Sequence, residues 1–339
     1  MKTKLIAFAA AALLPAIVTA QSSMTISGVV DAGIEWVDHV PPANDTLVRM
    51  VSGATYGSRL SVRGSEDMGG GLKAIFLLES GFDLDTGVLG QSGRLFGRGA
   101  FVGLENGYGR LTFGRLYTTV YDWAVQFDPL GPGRYSSPLL DSAYSGRVDN
   151  AAKAAGKFGP VDFSTYYSLG AESAGAARVG RQYGISAIYN WSNLSVGLSL
   201  DSQAGSSVAT QNDTVERSSL GVRYDFGVAK LYGGFTYRNN RLAIKPNAVN
   251  QYWVAVAAPL SPNLGVTAAY YGADFRKGGY TPAALSTILT YSLSKRSALY
   301  ATASHAYNSS TTNLGVTGFG TTGLGQNQTG VTLGVRHSF

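Results

Sequence analysis

The chain of 339 residues contains no cysteine, and only 14% of its residues are charged. Soluble globular proteins average about 25% charged residues. Without cysteine, a disulfide framework, thiol catalysis and a cysteine-ligated metal site are all excluded. The formal net charge of +6 is too small to argue for nucleic acid as a partner.

Long apolar runs are also missing after the N-terminal segment. A transmembrane helix needs about 20 consecutive apolar residues, so the rest of the chain cannot be a helical membrane protein. Aromatic residues are abundant, with 20 Tyr, 14 Phe and 4 Trp. This excludes a disordered chain, because such chains are poor in aromatics. An all-β protein that is rich in glycine and tyrosine remains.

The N-terminal segment has the pattern of a secretory signal peptide. Lys2 and Lys4 precede an apolar stretch at residues 5–18, and Ala20 completes a small-residue cleavage site, which is the order found in such peptides. A single membrane anchor is the alternative, but Pro15 interrupts a stretch that is already short for a span. We expect residues 1–20 to be a removed signal peptide and residues 21–339 to form the mature protein.

Apolar and polar residues alternate with period two in many segments, most clearly at 194–201 and 285–293. This is the pattern of a β-strand with one apolar and one polar face. Clusters of Gly, Pro, Asn, Asp and Ser mark the turns between such segments. Together they predict sixteen strands, near residues 25–37, 58–66, 71–82, 94–104, 108–116, 147–157, 162–169, 182–191, 194–202, 215–226, 229–240, 250–258, 264–272, 283–293, 298–308 and 327–339.

The connections alternate between short and long, and the long ones include residues 39–57, 83–93, 117–146 and 309–326. An even number of strands with tight turns on one side and long loops on the other is typical of bacterial outer-membrane barrels. Sixteen strands enclose more volume than side chains can fill, so the lumen must be polar and hold water. The apolar face must then point outward into lipid. The sequence therefore predicts an all-β, 16-stranded antiparallel transmembrane barrel.

Two features of the strand ends support a membrane location. Tyrosine and tryptophan near the ends are expected to form interfacial girdles; these residues are Trp36, Tyr108, Tyr166, Tyr167, Tyr189, Trp191, Tyr224, Tyr252, Trp253 and Tyr291. The last strand alternates and ends in Phe339. It resembles the C-terminal signature that the assembly machinery of outer-membrane barrels reads.

Several longer motifs resemble the general porins of β-proteobacteria. They are residues 58–82 (SRLSVRGSEDMGGGLKAIFLLESGF), 94–98 (RLFGR), 108–115 (YGRLTFGR), 147–150 (RVDN), 291–296 (YSLSKR) and 334–339 (GVRHSF). The resemblance runs in order along the whole mature chain. It implies a homotrimer in the outer membrane, surrounded by lipid and lipopolysaccharide, with short periplasmic turns and long outer loops. Each barrel would pass ions and small hydrophilic solutes by diffusion.

The resemblance also implies that the third outer loop, residues 117–146, folds into the barrel and narrows the passage. This loop carries Asp122, Asp128, Arg134 and Asp141. Opposite it, Arg59 and Arg63 share one face of a predicted strand, and the resemblance places Arg94 and Arg98 on the same wall. Arg115 lies on the side of Leu111 and Phe113, so an inward direction requires a β-bulge or a position at the start of the loop. These arginines could instead simply pair with Glu66, Glu79 or Asp83.

A basic wall opposite an acidic loop sets a field across a narrow aqueous gap. Such a field favours hydrated polar solutes over apolar ones. If arginines outnumber carboxylates at the neck, anions should pass more readily than cations. We therefore expect a mild anion preference.

Other functions have weaker support. An outer-membrane phospholipase would need a nucleophile beside a histidine, and the candidates Ser304, His305 and Asn308 fail because adjacent strand residues point to opposite faces. An adhesin or receptor that uses the barrel as a scaffold stays open. Residues 318–323 match GxGxxG, but no helix is predicted after them. The histidines lack metal-ligand spacing, so no cofactor and no metal are expected.

Overall fold

A computed structural model describes residues 22–131, 133–241 and 247–339. The predicted signal peptide at residues 1–20 lies outside them. The strands are β1 (Ser23–Val40), β2 (Asp45–Ser52), β3 (Arg59–Gly69), β4 (Leu72–Gly81), β5 (Gly99–Asn106), β6 (Gly109–Tyr117), β7 (Arg147–Phe158), β8 (Val161–Ser168), β9 (Gln182–Trp191), β10 (Leu194–Ala204), β11 (Thr214–Asp225), β12 (Lys230–Arg241), β13 (Asn247–Pro259), β14 (Leu264–Phe275), β15 (Ala283–Ser292), β16 (Ser297–Tyr307), β17 (Leu314–Gly315), β18 (Gly318–Phe319) and β19 (Gln328–Ser338).

All strands except the short β17–β18 hairpin belong to one antiparallel sheet that closes on itself. β1 is long enough to pair with both β2 and β3, so these two are successive parts of one barrel strand. β1 also pairs with β19, which closes the barrel. Counted in this way, the described residues form sixteen barrel strands, and the predicted fold is confirmed. Closure leaves no unpaired sheet edge, as a structure surrounded by lipid requires.

The chain terminus completes the seam between the first and last strands. The backbone N–H and C=O of Phe339 each pair with Gly28 at 3.1 Å. A Cβ on Gly28 would lie only 2.4 Å from the Phe339 ring, so glycine leaves the space that the ring fills. Phe339 therefore locks the barrel seam through both its backbone and its side chain.

Deleting Phe339 is expected to impair assembly rather than conduction. The deletion removes two backbone hydrogen bonds, each worth about 0.5–1.5 kcal/mol net, together with the ring contact on Gly28. The amount of heat-resistant barrel in outer-membrane fractions should fall, while channels that do assemble should keep the parental conductance. Parental surface levels of the truncated protein would refute this role.

The two faces of the sheet differ as the alternation predicts. Large apolar side chains such as Leu333 and Val254 are exposed on the outer face. The inner face carries hydroxyl ladders, for example Ser286 Oγ to Ser304 Oγ at 2.9 Å. Two of the predicted girdle aromatics are exceptions, because Tyr166 and Trp253 point inward and are buried. The position of Trp253 near a strand end could not reveal that the third outer loop covers it.

Two of the predicted strand and loop boundaries in the N-terminal half of the chain are wrong. The first outer loop, predicted at 39–57, is mostly strand, since β1 extends to Val40 and pairs there with β2. β5 begins at Gly99 rather than near residue 94. Arg94 and Arg98 therefore lie in the second outer loop, where Gln91, Ser92 and Gly93 all adopt positive φ. That turn places the two arginines outside the regular period-two alternation of a strand.

The third outer loop, residues 118–146 with Pro132 outside the described set, enters the barrel. It begins with a helix, Thr119–Phe127, which we call the loop helix, and the Thr118 side chain caps it by accepting from the Tyr121 N–H at 3.2 Å. Two 3₁₀ turns follow, Ser137–Leu139 and Ser142–Ser145. No helix among the described residues is long and apolar enough to cross a membrane.

Candidate functional site

An apolar interface holds the loop helix against the inner wall of the barrel. Its buried face comprises the apolar residues Val120, Trp123, Ala124 and Phe127 together with Thr119. The Trp123 Nε1–H donates to the Gly197 carbonyl on β10 at 3.1 Å. From the wall, the Trp253 Nε1–H donates to the Phe127 carbonyl at 2.8 Å. The two indole rings lie 5.4 Å apart, edge to face.

Two glycines in the wall make room for this interface. A Cβ on Gly197 or on Gly221 would lie 2.4 Å from the ring of Phe127. These residues face each other on β10 and β11. Any side chain there would push the helix toward the centre of the barrel. The glycines thus set how closely the loop lies against the wall, and so how much of the lumen stays open.

A buried ion network holds the C-terminal part of the loop. Asp141 accepts from Arg217 Nε at 2.8 Å and lies 3.3 Å from Arg238 Nη1. Arg217 also pairs with Asp201 on β10 at 3.3 Å. Burial by itself raises the pKa of Asp141, but the two guanidinium groups outweigh burial and hold this pKa below its ordinary value. The carboxylate therefore stays charged and bound to the wall at neutral pH.

Asp128 does not face the lumen, contrary to its predicted place at the constriction. Its side chain is 1% exposed. It accepts from the backbone N–H groups of Leu130 and Ser137 at 3.0 and 2.8 Å, and from the Tyr271 hydroxyl at 2.8 Å. Asp128 is a structural residue that fixes the bend after the loop helix, because its carboxylate satisfies backbone donors of the turning chain.

Arg134 lies on the same loop and reaches the opposite side of the barrel. Its Nε donates to Glu35 Oε1 on β1 at 2.6 Å. The buried Glu35 also accepts from Arg49 Nε at 2.6 Å and from the Tyr135 hydroxyl at 2.8 Å. Arg134 therefore ties the loop to β1, where it shares the single Glu35 carboxylate with Arg49.

Asp122 lies in the first turn of the loop helix, outside its buried face, and contacts β7 and β8. Its carboxylate pairs with Lys153 Nζ on β7 at 2.5 Å. Lys153 also donates to the Tyr117 carbonyl at 2.8 Å. The pair attaches the start of the loop to β7. The Lys153 ammonium largely neutralises the charge of the Asp122 carboxylate.

A group of arginines lies on the wall formed by β3 to β7 and the second outer loop. Arg98 Nε donates to Glu79 Oε1 at 2.8 Å, and Arg59 Nε lies 3.7 Å from Glu79 Oε2. Ser61 Oγ donates to the same carboxylate at 2.7 Å. Glu79, which was predicted as an alternative partner of the arginines, therefore does pair with them. Its single carboxylate contacts two guanidinium groups.

Arg94 and Arg115 share a second carboxylate, Asp149. Arg94 Nη1 lies 2.7 Å from Asp149 Oδ2, and Arg115 Nη1 contacts Asp149 Oδ1. Arg115 Nε donates to the Gly97 carbonyl at 2.6 Å, which joins this pair to Arg98. The inward direction of Arg115 follows a register shift between β6 and β7 next to Gly114, whose φ is 136°.

Arg147 and Tyr117 complete the group, and neither is among the site residues predicted from the sequence. Arg98 Nη2 and Arg147 Nη2 donate to the Tyr117 hydroxyl at 3.1 and 3.0 Å. Arg147 Cζ lies 4.6 Å from the centre of the Tyr117 ring. The motif at 147–150 resembles the porin pattern, and this resemblance is the one feature of the sequence that points to Arg147. Its place in the site follows from its contacts with Tyr117, which form only in the folded barrel.

We call Arg59, Arg94, Arg98, Arg115 and Arg147 the arginine network. Its members contact two carboxylates, those of Glu79 and Asp149, so the network carries a net charge of +3. Arg63 lies two residues from Ser61 on the same face of β3 and is exposed. No carboxylate contacts Arg63 among the described residues, so it adds a further uncompensated positive charge.

The family model for Gram-negative porins matches residues 7–313. The chain belongs to the Gram-negative porins. An outer membrane porin protein of Bordetella pertussis is 30% identical to this porin, with 100% of both chains covered. Outer membrane porin protein 32 of Delftia acidovorans is 32% identical, again with 100% of both covered. The solved anion-selective porin from Comamonas acidovorans has a TM-score of 0.82 and 28% identity, covering 94% of this chain and 100% of its own.

This porin is therefore an outer-membrane diffusion channel for ions and small hydrophilic solutes. Its barrel spans the membrane with sixteen strands, and the inward-folded third loop narrows the water-filled lumen. Family membership also indicates a channel rather than an enzyme.

The residues considered for other chemistry do not assemble into a site. Ser304 Oγ bonds to Ser286 Oγ at 2.9 Å, whereas His305 Nδ1 bonds to Thr329 Oγ1 at 2.9 Å. The GxGxxG match begins at β18, in a short hairpin of the last outer loop. Within the described ranges, no three His, Asp or Glu side chains come together as a possible metal cluster.

Replacing Glu79 with glutamine should increase chloride selectivity. The change removes one of the two carboxylates that the arginine network contacts. At about 10 Å in water a unit charge changes an ion's energy by about 0.4 kcal/mol, with opposite signs for chloride and potassium. The permeability ratio should then rise about threefold at low salt, as measured by the reversal potential in a KCl gradient.

The matched control is Asp225→Asn, which removes a carboxylate that pairs with Lys230 near a short turn. It should leave the ratio unchanged. An equal rise in both variants would show that overall charge, and not the arginine network, sets the selectivity.

Proposed function

We propose that this porin prefers anions and that the arginine network, together with Arg63, supplies the preference. The single observation that carries the proposal is the imbalance of five guanidinium groups against two carboxylates within one connected set of contacts. The carboxylates of the third outer loop do not offset it. Asp122, Asp128 and Asp141 are engaged by Lys153, by backbone donors and by Arg217, respectively.

The mechanism is an electrostatic bias in a narrow aqueous gap. Anions that approach the gap meet a positive wall, which lowers their energy relative to cations of the same size. Because water fills the lumen, the bias stays modest and weakens as salt screens the charges over about 10 Å at 0.1 M. The relative from Comamonas acidovorans, described as anion-selective, supports the same direction.

Liposome swelling tests this proposal with solutes of equal size. Proteoliposomes should swell faster in gluconate than in glucosamine salts, each paired with an impermeant counterion, and should swell at an intermediate rate in glucose. Equal rates for all three solutes would show that the passage sieves by size alone. Faster entry of glucosamine would reverse the sign of the proposal.

We further propose that the porin works as a homotrimer with one passage in each barrel, embedded in lipid and lipopolysaccharide. The resemblance in the motifs at 58–82 and 334–339 supports this assembly, and so does the broad apolar outer face. Native mass spectrometry of detergent-extracted protein should show three copies, with retained lipopolysaccharide. In planar bilayers, conductance should rise in steps of three. A plugged adhesin scaffold would show no steps.

A further inference from the structure

Arg49 and Arg134 form a second positive pair, separate from the arginine network. Both bind the buried carboxylate of Glu35. Arg49 Nη2 lies 2.6 Å and Arg134 Nη2 lies 3.1 Å from the same oxygen, Oε2. The two guanidinium groups therefore lie close together, with one carboxylate between two positive charges. Among the described residues, no hydrogen-bond acceptor contacts the Nη1 group of either arginine.

This pair lies nearer to the outer end of the barrel than the arginine network does. Arg59 of the network pairs with Val29 on β1, whereas Arg49 pairs with Glu35, farther along the same strand. At about 3.3 Å per residue, the two positions on β1 are about 20 Å apart along the strand. A solute that enters from outside therefore meets the second pair before it meets the network.

A cavity of about 400 Å³ lies beside the pair, between the β1–β2 hairpin, the third outer loop and the last outer loop. It has room for roughly a dozen water molecules. The Arg49 side chain is 41% exposed, so solvent reaches the pair. Glu35 is the only carboxylate among the described residues that line the cavity. Thr317 lines it from the last outer loop and adds a hydroxyl group.

The charge and the lining of this cavity match a small carboxylate. Two guanidinium groups against one carboxylate leave one positive charge, which a single further carboxylate balances. Charge-assisted hydrogen bonds from guanidinium to carboxylate are about twice as strong as neutral ones. Val40 and Pro41 also line the cavity and offer apolar surface to a short aliphatic chain.

We propose that Arg49 and Arg134 form an outer binding site for short-chain aliphatic monocarboxylates. The carboxylate of the solute accepts from the Nη1 groups, and its short chain lies against the apolar part of the lining. The site names a solute class for the proposed anion preference and rests on it, because the solute must be admitted as an anion.

Protection of an introduced thiol tests this site, since the chain has no cysteine of its own. Thr317→Cys places one thiol at the cavity, where the neutral reagent iodoacetamide can alkylate it in the purified porin. Sodium propionate should slow this alkylation in a saturable manner, relative to sodium chloride at equal ionic strength. Adding Arg49→Gln should raise the propionate concentration that halves the rate by about 3- to 10-fold. Glu35 keeps its contact with Arg134 in this variant.

Two control variants separate the site from general effects of salt and charge. Val208→Cys, which is exposed in a different outer loop, should be alkylated at the same rate in both salts. Arg223→Gln removes an arginine that binds Ser195 instead of Glu35, and it should leave the protection of Thr317→Cys unchanged.

Equal alkylation rates of Thr317→Cys in the two salts would overturn the site. Protection that persists at the same propionate concentrations after Arg49→Gln would overturn it as well. The KCl reversal potential of the same protein reports separately on the proposed anion preference. An anion-selective channel in which propionate does not protect Thr317→Cys would retain the proposed function and lose only this site.

Discussion

Replacing Trp123 with alanine is expected to free the third outer loop from the barrel wall and to enlarge the single-channel conductance. Trp123 is fully buried, and it contacts Phe127, Tyr144 and Trp253. Truncating a buried tryptophan costs about 3–5 kcal/mol, and the hydrogen bond to the Gly197 carbonyl is also lost. The barrel strands keep their own pairing, so the cost falls on the attachment of the loop. Conductance recordings in 1 M KCl should show larger and noisier steps.

Trp191→Ala is the matched control for this change. Trp191 ends β9 and is exposed on the outer surface, so the same truncation there leaves the loop attached. It should alter membrane insertion at most. The explanation would fail if Trp123→Ala kept the parental conductance, or if the loop remained resistant to added protease in that variant.

Replacing Arg63 with glutamate should shift selectivity strongly toward cations. Arg63 is exposed on the inner face of β3, and no described carboxylate contacts it, so the substitution disturbs no ion pair. The substitution changes the charge near the passage by two units, from +1 to −1. With about 0.4 kcal/mol per unit charge at 10 Å in water, the chloride-to-potassium ratio should fall by about tenfold at low salt, and by less as salt increases.

Arg296→Glu provides the same charge reversal in an exposed short turn outside the passage. It should change the ratio little. If Arg63→Glu left selectivity unchanged while channels formed normally, Arg63 would not belong to the site.

The alternation predicts the barrel well because a strand's period of two is a local property. Residues 194–201 and 285–293 lie within β10 and within β15 and the turn after it. The split of one barrel strand into β2 and β3 was not predictable, because Gly53 at φ 68° starts a break whose residues contact the loop. The Ala54 carbonyl accepts from the Arg134 N–H at 2.8 Å, which only the folded loop reveals.

The site was harder to predict because its roles depend on contacts across the barrel. Asp128 and Asp122 lie six residues apart on one loop, yet the first is a buried structural residue and the second binds Lys153. The sequence position of Trp253 predicts an interfacial aromatic residue, but in the structure the third outer loop covers its ring. The roles of Arg59, Arg63, Arg94, Arg98 and Arg115 in selecting ions stay predictions, although the structure explains how each guanidinium is held or left free.

The reversal potential of the parental porin under a tenfold KCl gradient tests the central proposal most directly. The arginine network and Arg63 predict a sign that corresponds to chloride permeating faster than potassium, with a magnitude that decreases as the mean salt concentration rises. A reversal potential of the opposite sign at low salt would contradict the account, because it would mean that the loop carboxylates, and not the arginines, set the field in the passage.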